Sequence, residues 1–75
     1  MKPAQVRMAR AALNWSLQQL SEAAGVHRNT ISNFETGRYA GEPATLDAIR
    51  VALEAAGVIF IAENGGGVKL RKTEK

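Results

Sequence analysis

Apolar positions recur at three- and four-residue spacing through most of this chain and change to alternation near its end. Val6, Ala9 and Leu13, with Arg10 among them, follow helical spacing. Pro3 suits the first turn of that helix, where a missing N–H does no harm, and Asn14 suits its end. Leu17, Leu20, Ala23 and Ala24 form a second apolar face. Its start is signalled twice: Ser16 and Gln19 have the spacing of a capping box, and Trp15 can pack on Leu20 across the cap. Small Ser21, Ala23 and Ala24 would admit a close neighbour. Gly25 then marks a sharp turn, because glycine accepts a left-handed backbone at little steric cost, and Val26 would plug the elbow from inside.

A third helix is expected after the turn. Ile31 and Phe34 share one face, while Arg28, Asn29, Ser32 and Asn33 lie on the other. A face meant only for water would favour Glu and Lys, which form helices better than Asn, Ser and Thr. Asn and Arg carry the forks that bond adenine and guanine edges in bidentate fashion. Two short helices joined at a glycine, the second polar on its outer side, have the layout of a helix-turn-helix. Pro43 opens a fourth helix with the stripe Leu46, Ile49, Ala52 and Leu53, ended by Gly57.

The pattern then changes register. Val58-Ile59-Phe60-Ile61 is too short and too β-branched for a helix, residues 63–67 are turn chemistry, and residues 68–71 alternate, so a C-terminal β-hairpin is predicted. A phosphate-cradling glycine loop would need a helix after it, and a strand follows instead. The fold expected is mainly α: a compact four-helix unit over 1–57, with the hairpin and a basic tail over 58–75. Both faces of 58–61 are apolar, and a hairpin on a small helical unit buries one face easily. Val58, Ile59, Phe60 and Ile61 are therefore the expected dimer contact; the alternative is a single strand buried within the monomer.

Composition narrows the function. At 75 residues a chain buries only about 60% of its unfolded surface, which favours added stability from dimerisation and leaves no room for an enzyme pocket. The sequence has no cysteine and one histidine, so neither a disulfide framework nor a metal site is expected, and no cofactor. No apolar run approaches the roughly 18 residues that span a membrane. The net charge is +3, but residues 1–67 sum to zero: Lys2, Arg7, Arg10, Arg28, Arg38 and Arg50 against Glu22, Glu35, Glu42, Asp47, Glu54 and Glu63. The excess comes from Lys69, Arg71, Lys72 and Lys75 against Glu74, so the balance supports nucleic-acid binding only weakly.

Over about residues 6–57 the chain resembles the Cro and phage-repressor (XRE-type) helix-turn-helix regulators. The resemblance is carried by Leu20, Gly25-Val26, Thr30-Ile31-Ser32 and Glu35-Thr36-Gly37. It implies base contacts from Arg28, Asn29 and Asn33, and secondary contacts to phosphate or thymine methyl from His27, Thr30 and Ser32. It also implies that Arg10 and Glu35 form a structural pair between helix 1 and the end of the recognition helix. Two positions depart from the family. Leu17 stands where a phosphate-binding glutamine is usual, so that contact would fall to the backbone amide or to Gln18. His27 stands where a hydroxyl cap is common, and as a poorer N-cap it is expected to face phosphate instead. Arg38 and Tyr39, in the loop after the recognition helix, are further phosphate candidates.

These readings point to a cytoplasmic, non-enzymatic regulator of bacterial or phage type that binds double-stranded operator DNA as a homodimer. Repression is favoured because nothing beyond the domain would recruit polymerase. Two other readings stay open: a protein-interaction module that kept the fold, such as an antiactivator, and an antitoxin that binds both DNA and a toxin.

Overall fold

The computed structural model describes residues 1–62 and 66–71, and within them the predicted order of elements is present. Helix α1 runs Pro3–Leu13, α2 Leu17–Ala24, α3 Arg28–Glu35 and α4 Pro43–Ala55; strands β1, Val58–Ile61, and β2, Gly67–Leu70, follow. The local signals act as the residue types predict. Ser16 Oγ accepts from the Gln19 amide at 3.1 Å, and Gln19 Oε1 accepts from the Ser16 amide at 2.8 Å, closing the capping box reciprocally. Asn14 and Gly25 are both left-handed, at φ 58° and 70°, and each ends its helix there. Gly41 permits a close approach before α4: a Cβ there, at φ 88°, would lie 2.4 Å from Leu46 Cδ2.

Every element except β2 contributes a buried side chain to one core, and Val68 of β2 packs partly buried against it. Val6 and Ala9 of α1, Leu20 of α2, Ile31 and Phe34 of α3, Ile49 and Leu53 of α4 and Val58 of β1 are buried together. Each large side chain so buried contributes roughly 1.5–3 kcal/mol relative to exposure. Trp15, Leu17, Ala24, Val26 and Leu46 pack partly buried against the same cluster. Ala23, grouped by its spacing with the apolar face of α2, is exposed. At 100° per residue it lies roughly 90° from the centre of the Leu17–Leu20–Ala24 stripe, outside the side that meets the core.

The hairpin is antiparallel, pairing Val58 with Leu70, Ile59 with Lys69, Phe60 with Val68 and Ile61 with Gly67. Alternation therefore places Val58, Phe60 and Val68 on the face toward the helices, and Ile59, Ile61 and Lys69 on the other. Val58 is buried in the monomer core, which corrects the expectation that all four β1 side chains line a dimer contact. Ile59 stays 37% exposed. The turn predicted for 63–67 and the basic tail fall partly on residues 63–65 and 72–75, outside the described residues.

Gln5 ties the hairpin to α1. Its side chain is buried, and its Nε2 donates to the carbonyls of Ile61 and Gly67, each at 3.0 Å, where the ladder ends. Its Oε1 accepts from the Lys2 amide at 2.7 Å. One amide thus satisfies backbone groups from both strands and from the start of α1.

Candidate nucleic-acid interface

Helix α3 divides into two faces. Ile31, Phe34 and Glu35 are buried, whereas Arg28, Asn29 and Asn33 are exposed and Thr30 and Ser32 are half-buried. The three residues expected to read bases therefore share a surface that the core does not use, on a helix only eight residues long. An isolated helix of that length is unstable in water, so contacts at both of its ends matter.

At the N-terminus, His27 corrects the sequence expectation. Its Nδ1 accepts from the Asn29 amide at 3.0 Å, so the imidazole caps the helix rather than forgoing the cap. The ring nitrogen lies close enough to its own backbone to reach the amide two residues on, as an Asx side chain does. With Nδ1 as acceptor the neutral ring carries its proton on Nε2, leaving a donor on an exposed side chain.

At the C-terminus, Glu35 is buried and meets Arg10 through two parallel bonds, Nε to Oε2 at 2.7 Å and Nη2 to Oε1 at 2.9 Å. The Arg10 Nη1 donates to the Trp15 carbonyl at 3.1 Å, so the same guanidinium also fixes the α1–α2 connection. The hydrogen bond to Glu35 raises the Arg10 pKa above its usual value, and the charge attraction adds to it while burial opposes both. The structural pair implied by the family resemblance is thus present in bidentate form. Arg7, one turn earlier on α1, donates to the Glu35 backbone carbonyl. That second grip was not singled out in the sequence, although Arg7 and Arg10 lie three apart and so share a helix face. Thr36 Oγ1 completes the end by donating to the Ser32 carbonyl at 3.0 Å.

The remaining candidates flank α3. Gln18 does not stand alone as a phosphate donor: its Oε1 accepts from Arg28 Nη1 at 3.1 Å, and its Nε2 donates to Glu22 Oε2 at 3.0 Å. Leu17 packs partly buried against the core. Arg38 is exposed, while Tyr39 is partly buried against the core and accepts from the Glu42 amide through its hydroxyl at 3.0 Å. Tyr39 therefore also holds the turn into α4. An open groove of about 540 Å³ lies beside α3, lined by Thr30, Asn33, Arg38, Tyr39, Glu42 and Thr45. Arg50 is occupied on its own helix by Asp47 and by Glu54, whereas among the described residues Arg28 lies on the exposed face of α3 and Arg38 lines the groove beside it.

The helical part of the chain, residues 6–54, matches a helix-turn-helix family model. No curated protein matches the chain. Among the described residues, no helix is long and apolar enough to cross a membrane.

Proposed function

This chain belongs to the Cro and phage-repressor (XRE-type) helix-turn-helix family of DNA-binding regulators, and on that premise we propose that it represses transcription by binding an operator as a homodimer. The observation that carries the reading is the polarity of α3, whose Arg28, Asn29 and Asn33 face outward while Ile31, Phe34 and Glu35 hold it to the body. Arginine and asparagine supply the forks that distinguish guanine and adenine in the major groove. His27 Nε2, Thr30, Ser32, Arg38 and Tyr39 surround them as candidates for phosphate or thymine-methyl contact. Selectivity then comes from the recognition helix and affinity largely from phosphate contacts, so binding should weaken as salt rises.

One small domain makes few base contacts, whereas two related by a dyad read half-sites about one helical turn apart. The outer face of β1, with Ile59 and Ile61, is the surface we assign to that dyad. Footprinting on the DNA upstream of the chain's own gene tests the function, since small regulators of this type often control themselves. Protection of two half-sites is expected. Arg28→Ala, Asn29→Ala and Asn33→Ala should each weaken binding by about 1–3 kcal/mol and relax preference at one base position, with the fold intact. Parent-like binding by all three would remove α3 as the reader, and absence of any protected site would favour a protein-interaction module.

A further inference from the structure

We infer that Gln18 and Glu22 of α2 form a positioning relay that sets the orientation of Arg28 and thereby the base preference of the reading helix. The inference rests on Arg28 reading a base, as proposed above. It starts from donor and acceptor chemistry. A guanidinium only donates and a carboxylate only accepts, so neither can bridge to its own kind. A primary amide has one face of each sort. Gln18 stands between Arg28 and Glu22 with its Oε1 toward the first, at 3.1 Å, and its Nε2 toward the second, at 3.0 Å. Glu22 therefore fixes which way the amide points. Reversal would set the amide N–H against the guanidinium and its oxygen against the carboxylate.

The consequence falls on the free part of the fork. Gln18 engages Nη1 of Arg28, which leaves the Nε–Nη2 edge uncommitted among the described residues. That edge is bidentate; Arg10 uses it on Glu35. Directed into the groove, it matches the O6 and N7 acceptors of guanine. Arg28 is exposed and its long side chain has many rotamers, so a partner on the adjacent helix lowers the entropy lost when the contact forms. The bond also strengthens when DNA covers the site and water leaves.

Glu22 gives the proposal a sign that a structural role would not produce. An exposed carboxylate near a phosphate backbone weakens binding to DNA of any sequence. Its removal should raise affinity for arbitrary DNA while lowering the preference for guanine, two effects in opposite directions.

The test is selection from a library of randomised duplexes with the full chain, followed by binding to the selected duplex and to its single-base variants. Arg28→Ala should abolish preference for guanine at one position, roughly five- to 150-fold. Gln18→Ala should reduce that same preference roughly three- to tenfold, and should have no further effect in the Arg28→Ala background. Glu22→Ala should reduce it as well, with tighter binding to random duplex. Gln18 and Glu22 are both exposed, so thermal melts of the variants should match the parent. A uniform loss of affinity across sequences in Gln18→Ala, additive with Arg28→Ala and with a shallower salt slope, would make Gln18 a phosphate contact and overturn the relay. An Arg28→Ala variant with unaltered base preference would overturn the reading role on which it rests; normal loss in Arg28→Ala with no change in Gln18→Ala or Glu22→Ala would overturn the relay alone.

Discussion

Truncation of Arg10 should damage this protein more than truncation of its partner, because the two members of the pair differ in burial. The side chain of Glu35 is 5% exposed and that of Arg10 is 22% exposed. Arg10→Ala removes both bonds to the carboxylate, at 2.7 and 2.9 Å, and the bond to the Trp15 carbonyl, and it leaves a largely buried carboxylate without its charge partner. Breaking a buried pair in this way costs about 3–5 kcal/mol, and the partial exposure of Arg10 places this one near about 3 kcal/mol. Glu35→Ala leaves a guanidinium that keeps Trp15 and gains water, for a smaller cost of about 1–2 kcal/mol. In a domain of this size 1 kcal/mol moves Tm by about 4–8 °C, so Arg10→Ala should melt about 12–24 °C below the parent. Replacing both together, Arg10→Met with Glu35→Leu, should return stability to within about 1–2 kcal/mol, since a well-packed apolar pair loses no desolvation energy and only the bond to the Trp15 carbonyl stays lost. Urea and thermal unfolding followed by far-UV circular dichroism measure all three. A melt of Arg10→Ala within about 2 °C of the parent, or a larger loss from Glu35→Ala, refutes the assignment; parent-like stability with failed DNA binding would move both residues to the interface.

Gln5→Ala should cost about 1–3 kcal/mol, because the carbonyls of Ile61 and Gly67 lose a shared donor. Hydrogen exchange should show β1 and β2 losing protection before α1 to α4, and a hairpin with parent protection would refute the clamp. Ile59→Lys combined with Ile61→Lys places two charges on the outer hairpin face and should yield a folded monomer that loses operator affinity more than non-specific affinity. Sedimentation of the parent as a monomer at high micromolar concentration, or an unchanged dimer in the variant, would shift attention to α4, where Val51 is 52% exposed.

The helices were legible because their ends are written in single residues. Ser16 with Gln19, Pro3, Pro43, Asn14 and Gly25 each act within one turn of where they sit, so spacing alone locates them. Contacts between distant segments left no such trace. Gln5 is a polar residue beside Val6 on a helix, and its partners lie 56 and 62 residues away, so nothing local distinguishes it from a side chain facing water. The Arg10–Glu35 pair spans 25 residues and came from likeness to a family rather than from periodicity. At His27, residue type misled: imidazole is a weaker cap than a hydroxyl on average, yet its Nδ1 reaches the amide of Asn29. The exposed face of α3 was readable, but its link to Gln18 and Glu22 was not, because it requires the angle between two helices.

The position of α3 is set by its neighbours more than by its own sequence. Arg, Asn, Thr and Ser fill five of its eight places, and all but Arg are modest helix formers. What fixes it is held elsewhere: Ile31 and Phe34 in the core, His27 at one end, Arg7 and Arg10 of α1 at the other. Arg28, Asn29 and Asn33 use none of those side-chain contacts. Their identities can therefore change with little effect on folding, and sequence preference is separable from stability. The separation ends at α2, since any new residue at position 28 inherits an amide whose oxygen is turned toward it by Glu22. A donor at position 28 fits that oxygen, and an acceptor meets repulsion. If α3 reads bases as proposed, retargeting it to a base read by Glu or Asp should therefore require a change at Gln18 or Glu22 as well, and the unit to redesign is one face of α3 with the α2 pair of Gln18, which contacts Arg28, and Glu22, which contacts Gln18.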